Sequence, residues 1–505
     1  MNNWFSGGTF QAILKGELMR NFTGIALACL LALAGAPHAQ QVDVLKAAAD
    51  TLDVATLKTV RFTGWGATFS IGRNYFPNDP WPRVYLRNYS ALVNYDTSSM
   101  RVELQREMGA VMPLGGGGPF TGEQRQIQVV GGNDAWNVAA GGGSAGAAQP
   151  QPGAALERML ALWATPHGFV RAAMANNATT RRAGGGTEVS FTIGGKYRMT
   201  GVINAQNLVE RVQTWIDQPL VGDLLVETVY SVYRDFNGVL FPSRIVQRQG
   251  GHPTLEVTIV SVEPNPAANI AVPENVRGAK PPPGRVDSEK LADGVYYFTG
   301  GGANTLAVEM RDHIVLVDTP TSEERVLAVL AKAKELAPNK PVRFVVVTHD
   351  HWDHAGGVRT AMDAGATIVM HEMYRPFFER VATMPHTVVP DRLSMSKKTP
   401  KFQTVGDSGQ LSDGNRTIEM YNITGNVHAA GLLMAYLPRE KIVAEADAPG
   451  QAEPLISVMV PSAQALYDNI RRRKLDVQTI APLHGMHTMT LAELVKFMGR
   501  DLSSK

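Results

Sequence analysis

Three histidines and two aspartates fall within six residues, His349-Asp350-His351-Trp352-Asp353-His354, directly behind the apolar run Phe344-Val345-Val346-Val347. On a helix the side chains of His349 and His351 diverge, whereas at a strand end followed by a tight turn they converge on one point. The chain must therefore run as a buried strand into Val347 and turn at once. Gly356-Gly357 lets the backbone turn closely into the helix expected next. Imidazole and carboxylate are the ligands a zinc site uses where no thiolate is at hand. The single cysteine, Cys29, stands far from this cluster, in an apolar N-terminal run.

That run, Asn21 to Ala36, follows Lys15 and Arg20 and precedes Pro37-His38-Ala39-Gln40, the pattern of a secretory signal peptide over residues 1–39. Its strongly apolar part is shorter than the ~20 residues a membrane span needs, so no stable span is expected after its removal. Met19-Arg20 offers a second, more conventional start. A periplasmic or secreted protein without thiols has no disulfide, no cysteine nucleophile and no thiolate metal site, so His and carboxylates must hold any metal.

The remaining chain is too long for one ordinary core, at 505 residues in all, and divides into two parts. Residues 42–282 read as a β-rich domain, with half-exposed strands at Val84-Tyr85-Leu86, Gln126 to Val130 and Val226 to Tyr233. Gly194-Gly195 signals a hairpin, and Leu156 to Asn176 reads as one helix. Gly115 to Gly118 and Gly141 to Gly153 read as mobile loops. Lys280-Pro281-Pro282-Pro283-Gly284 marks the boundary, since consecutive prolines favour an extended, unpaired backbone. From Val286 onward strands alternate with helices at Glu323 to Leu336, Ala463 to Arg473 and Leu491 to Met498, an α/β layered pattern. Lys and Arg, 48 together, nearly balance Asp and Glu at 46, which gives no nucleic-acid footprint.

The segment His349-x-His351-x-Asp353-His354 resembles the signature of the metallo-β-lactamase superfamily. The later order agrees: His428 in Asn426-Val427-His428, Asp447 behind the strand Ile442 to Glu445, and His484 in Pro482-Leu483-His484-Gly485. The resemblance implies an α+β chain whose residues 286–505 form an αββα sandwich behind the antiparallel β-rich domain. It implies two Zn2+ ions per chain, one held by His349, His351 and His428, the other by Asp353, His354 and His484, with Asp447 between them. Asp353, His351 and Asp447 would be the catalytic residues. Two such metals, about 3.5 to 4 Å apart, share a hydroxide nucleophile. Asp318, closing Ile314 to Val317, resembles the family's aspartate that orients a ligand imidazole. His313 reads as a surface residue; His371, His386 and His487 read as pocket candidates. The later half of the β-rich domain, with Trp215-Ile216-Asp217, Tyr233-Arg234-Asp235-Phe236 and Phe241-Pro242-Ser243, loosely resembles periplasmic lipoprotein-carrier-like domains, implying a concave sheet that holds an apolar ligand or shields a neighbouring site; a purely structural β-domain is the alternative reading.

The expected function is hydrolysis of an ester, lactone, amide or related bond in a small-molecule substrate. Two other readings stand beside it: a dinuclear iron redox protein on the same fold, and an envelope lipid- or ligand-binding protein with an ancillary hydrolase. The iron branch carries a Glu where His351 stands, which favours zinc. Met373 to Lys401, with Tyr374, Phe377, Phe378 and Met384, reads either as an apolar cover over the metals or as packing against the N-terminal domain. Oligomeric state is not legible.

Overall fold

The computed structural model describes residues 36–109, 113–117, 122–139, 146–281, 284–448, 457–485 and 487–499. The apolar run with Cys29 and most of the expected signal peptide lie outside them, as do Pro282, Pro283, Gly118 and residues 141–145. No helix among the described residues is long and apolar enough to cross a membrane.

Thirteen antiparallel strands between Thr59 and Pro264 form one sheet. The first strand, Thr59–Phe69, pairs on one side with Arg83–Asn94 and on the other with the last, His252–Pro264, so two meandering wings join at the centre. The register slips beside Thr63 and Gly64, and a Cβ on Gly64 would lie 2.2 Å from the Thr258 carbonyl oxygen. This close backbone approach, open only to glycine, lets the sheet bend. On one face Phe62, Tyr89, Phe241 and Tyr230 join Leu160, Leu162 and Phe169 from two helices in one buried cluster. Those helices, Ala155–Ala164 and Pro166–Ala175, replace the single helix expected over Leu156 to Asn176. Pro166 drives Thr165 out of the helical region, to ψ 150°, and the Thr165 hydroxyl caps the new helix at Gly168 N, 3.3 Å away. Gly194 and Gly195 adopt φ +57° and +68° at the expected hairpin.

The C-terminal half stacks two sheets. The seven-stranded one runs from Asp287–Ala292 to Lys401–Val405, and its last four strands are parallel. The six-stranded one runs from Ser408–Ser412 to Met489–Thr490. Leu306, Val308, Val317 and Val346 of the first sheet meet Ile418, Met420, Leu433 and Ala435 of the second in one buried cluster. Helix Glu323–Leu336 packs on the outer face of the first sheet through Val329 and Ala333, and Val460–Arg472 covers the second through Ala463, Leu466 and Ile470. The four layers form an αββα sandwich, and the chain is α+β as expected. Parallel strands buried on both faces explain the uninterrupted apolar runs Ile314-Val315-Leu316-Val317 and Val345-Val346-Val347.

Segment Met373 to Lys401 does not form an apolar cover. Tyr374 and Phe378 are wholly buried in the cluster on the outer face of the seven-stranded sheet, joined there by Leu220 from the N-terminal sheet. Asp223 accepts hydrogen bonds from Thr387 N and Val388 N at 2.8 and 2.9 Å, so of the two readings it is packing against the N-terminal region that the structure shows.

Candidate metal centre

All seven sequence-chosen side chains gather at one edge of the sandwich, because each follows the end of a strand or precedes the start of one. His349 to His354 follow Val342–Val346, Asp447 follows Ile442–Glu445, His484 follows Thr479–Pro482, and His428 precedes Leu433–Leu437. Open α/β sheets place ligands at the carboxyl ends of their parallel strands. Potential ligand atoms of His349, His351, His428 and Asp447 lie within 4.8 Å of one another, and those of Asp353, His354 and His484 form a second such group. Asp447 stands between them: its Oδ2 is 3.2 Å from His428 Nε2 and 2.9 Å from His354 Nε2, and its Oδ1 is 3.3 Å from His484 Nε2. It holds this place with φ +63°, a left-handed backbone that costs a non-glycine residue energy and marks a position fixed by its surroundings.

The remaining ring nitrogens fix which atoms face inward. His351 Nε2 donates to the Asn74 carbonyl at 2.8 Å, leaving Nδ1 with its lone pair toward the centre. His354 Nδ1 donates to Asp318 Oδ2 at 2.7 Å and His484 Nδ1 to the Gly302 carbonyl at 3.2 Å. Their Nε2 atoms then face each other at 2.9 Å, with Asp353 Oδ2 2.9 Å from His484 Nε2. His349 Nε2, His351 Nδ1, His428 Nε2 and both oxygens of Asp447 are buried without a hydrogen bond. Convergent, buried, unpaired acceptors repel one another unless a cation sits among them. This donor set therefore fits two divalent metal ions of the zinc type.

The field is consistent with that. Burial lowers His349 and His351 well below the ordinary histidine value, and neighbouring His428 lowers both further. Burial also disfavours a charge on His354, but Asp353, Asp447 and Asp318 outweigh it and raise that ring well above the ordinary value. Burial alone would raise Asp353 and Asp447; His354 and Arg73 instead hold Asp353 low, and His428, His484 and His354 hold Asp447 low. Asp350 stands apart from both groups. Burial pushes its carboxyl up to about 7, and its Oδ2 accepts from Asn74 Nδ2 at 3.3 Å.

Asp318, with φ +67°, accepts from Thr348 N at 2.7 Å and Thr348 Oγ1 at 2.9 Å besides His354. It is the orienting aspartate that the strand-end position suggested. His313 is not a surface residue: it is buried, edge-on to Phe344 at 5.5 Å, with Nδ1 2.7 Å from Asp312. His371, His386 and His487 belong to neither ligand group. His371 packs under Gly431, His386 sits at Gly222 of the N-terminal sheet, and His487 is exposed.

The residues that sequence reasoning missed come from the N-terminal sheet. Arg73 Nη2 lies 2.8 Å from Asp353 Oδ2, the Asn74 carbonyl orients His351, and Tyr75 Oη donates to the Asn426 carbonyl at 3.2 Å. Within Gly115 to Gly117, expected to be mobile, Gly116 is seated against two of the ligands. Gly115 N donates to the Val427 carbonyl at 2.9 Å, and a Cβ on Gly116 would lie 2.8 Å from His428 Cε1 and 2.9 Å from His351 Cε1. The glycine run was the only local signal, and it reads equally well as a loop.

Residues 298–419 match the family model described as Metallo-beta-lactamase superfamily. The α subunit of 2,4-dinitroanisole O-demethylase from Nocardioides sp. (strain JS1661) is 29% identical over 162 residues, 32% of this chain and 45% of its own. Linear primary-alkylsulfatase from Pseudomonas sp is 37% identical over 75 residues, 15% of this chain and 11% of its own. The chain thus spans less than half the length of these curated relatives. A solved metallo-beta-lactamase from Pontibacter korlensis shares 21% identity, with a TM-score of 0.33 over 43% of this chain and 98% of its own. Residues 298–419, which carry the His349 to His354 cluster and part of the αββα sandwich, are thus the part of the chain that matches the metallo-beta-lactamase superfamily.

Proposed function

We propose that this chain is an exported, dinuclear zinc hydrolase acting on an ester, lactone, amide or related bond of a small molecule. The observation that carries the reading is the pair of ligand groups meeting at Asp447, with the inward atoms of His349, His351, His428 and Asp447 buried and without a hydrogen bond. Zinc bound there supplies a Lewis acid that lowers the pKa of water and polarises the scissile group. His349, His351 and His428 would hold one ion and Asp353, His354 and His484 a second, with Asp447 standing between the two groups. Asp318 and the Asn74 carbonyl keep the lone pairs of His354 and His351 aimed inward. Arg73 keeps Asp353 ionised and adds positive charge beside the reacting group, where an anionic transition state gains most.

Support for hydrolysis rather than redox chemistry is the imidazole of His351 where the iron-binding pattern has a carboxylate. Support for export is the charged and apolar pattern of Lys15 to Ala36. The alkylsulfatase relative adds alkyl sulfate esters to the candidate substrates. The test is a panel of chromogenic esters, lactones, phosphodiesters, sulfate esters and a cephalosporin, run on metal-replete and chelated protein with metal analysis. Turnover that chelation removes and zinc restores is expected. Stoichiometric iron with redox-active absorption, or no metal-dependent turnover on any member, overturns the proposal.

A further inference from the structure

The N-terminal sheet and the helix Ala155–Ala164 packed on it enclose a cavity of about 420 Å³, within the range of small-molecule sites. Its lining is graded along the strands. Phe62, Met100, Tyr230 and Phe241 line one end, with Gln128 in the cross-strand row of Phe62, while Thr68, Arg106, Gln247 and Gln249 line the other beside Leu255 and Phe69. The registers place these groups at opposite ends: Phe62 is opposite Val262, whereas Thr68 and Gln247 are both opposite Leu255. Thr68 is 8% exposed, and its hydroxyl, in the cavity wall, has no hydrogen-bond partner among the described residues.

The polar end is the one nearer the metal centre, although none of the ligands lines the cavity. Phe69 and Ile71 line the cavity, and Arg73, two residues and at most about 7 Å of backbone beyond Ile71, pairs with Asp353. Gln249 pairs with His252, whose ring lies 5.2 Å from Trp81. Trp81 in turn stands edge-on at 5.5 Å to Trp352, between the ligands His351 and Asp353. Ile71, Phe76 and Leu114, on the two segments that touch the ligands, keep apolar surface exposed.

We propose that this cavity takes the aliphatic tail of the substrate, so that the hydrolysed compound is a single-chain amphiphile whose scissile polar head reaches the metals past Ile71 and Trp352. The assignment of the tail to a substrate rests on the hydrolase reading above; the cavity as an alkyl-binding site does not. Binding energy from the remote tail then positions the head at the reacting centre.

Two measurements on the full chain decide it. Dansyl-undecanoate fluorescence reports alkyl binding, and p-nitrophenyl esters from acetate to decanoate report chain-length dependence. Ala161→Trp fills the cavity from the helix side, and Val102→Phe fills it independently from the sheet. The expected result is saturable probe binding, lost in both variants when near-UV circular dichroism shows them folded. KM should fall roughly three- to fourfold per methylene as chains lengthen, the value of one buried CH2, and the variants should flatten that slope. Probe binding that survives both substitutions, or no probe binding at all, overturns the cavity assignment. A wild-type KM that ignores chain length overturns the substrate assignment. Probe binding without turnover of any ester supports the alkyl site and counts against the hydrolase reading alone.

Discussion

The guanidinium of Arg73, carried by the N-terminal sheet, lies 2.8 Å from the carboxylate of Asp353 in the C-terminal sandwich. Outer groups that orient metal ligands are worth about 10- to 100-fold in metal affinity or activity. Arg73→Ala is expected to lose that much, with metal released first from the Asp353, His354 and His484 group. Arg73→Lys should recover part of it, since the charge returns without the planar fork. Metal content after dialysis against a graded chelator measures both.

His351→Ala or Asp353→Ala should abolish turnover and lower metal content, while far-UV circular dichroism of the strand-rich N-terminal half persists. Full activity in either purified variant would remove both residues from the site.

Asp318 accepts three hydrogen bonds at φ +67°. Asn tolerates the left-handed backbone and can still accept, whereas Ala does neither. Asp318→Asn should therefore fold and lose about 10- to 100-fold in metal affinity. Asp318→Ala should also lose about 3 kcal/mol of stability, since it strands buried donors. Chemical denaturation of the metal-free proteins separates the two effects.

Gly116 and Gly117 form a matched pair. A Cβ at Gly116 would press on His428 and His351, while one at Gly117 meets only Ser70 Oγ at 3.2 Å as its nearest neighbour. Gly116→Ala is expected to weaken metal binding at least tenfold, in line with outer contacts that hold ligands. Gly117→Ala should change it by less than about threefold. Isothermal titration with zinc distinguishes them.

These contrasts show what the sequence made legible. The His349 to His354 spacing, the apolar strands on either side of the turn and the ordered residues His428, Asp447 and His484 are local patterns, and the sandwich brings them to one edge. Arg73 and Asn74 carry no such pattern, because their role depends on a loop meeting a strand end 276 positions away, from Arg73 to His349. His313 was misjudged for a related reason: a histidine between an Asp and an apolar strand looks solvent-facing until Phe344 on the neighbouring strand covers it. The helix break at Thr165-Pro166 was legible locally, since proline restricts the residue before it, but the strong apolar periodicity across it masked the signal.

Asp217 and Asp223 sit directly opposite on paired strands, and burial followed by the Asp223 and Asp391 charges raises Asp217 to about 6. A carboxyl whose folded pKa lies above its unfolded value makes the folded state bind more protons between the two. Stability from this group is therefore lost as pH rises from about 4 through 6. Asp217→Asn should stabilise the protein above pH 6 and change little below pH 4, as thermal unfolding across that range will show.

The Asn74 carbonyl that fixes the tautomer of His351 couples two events usually treated separately. A metal ion that needs His351 Nδ1 free also needs the loop from the other sheet in place, so ion uptake and docking of the two halves share one free energy. Each stabilises the other by the same amount. Chelation should loosen the junction at Arg73 and Tyr75, and a sandwich expressed without its partner sheet should bind zinc more weakly than the intact chain.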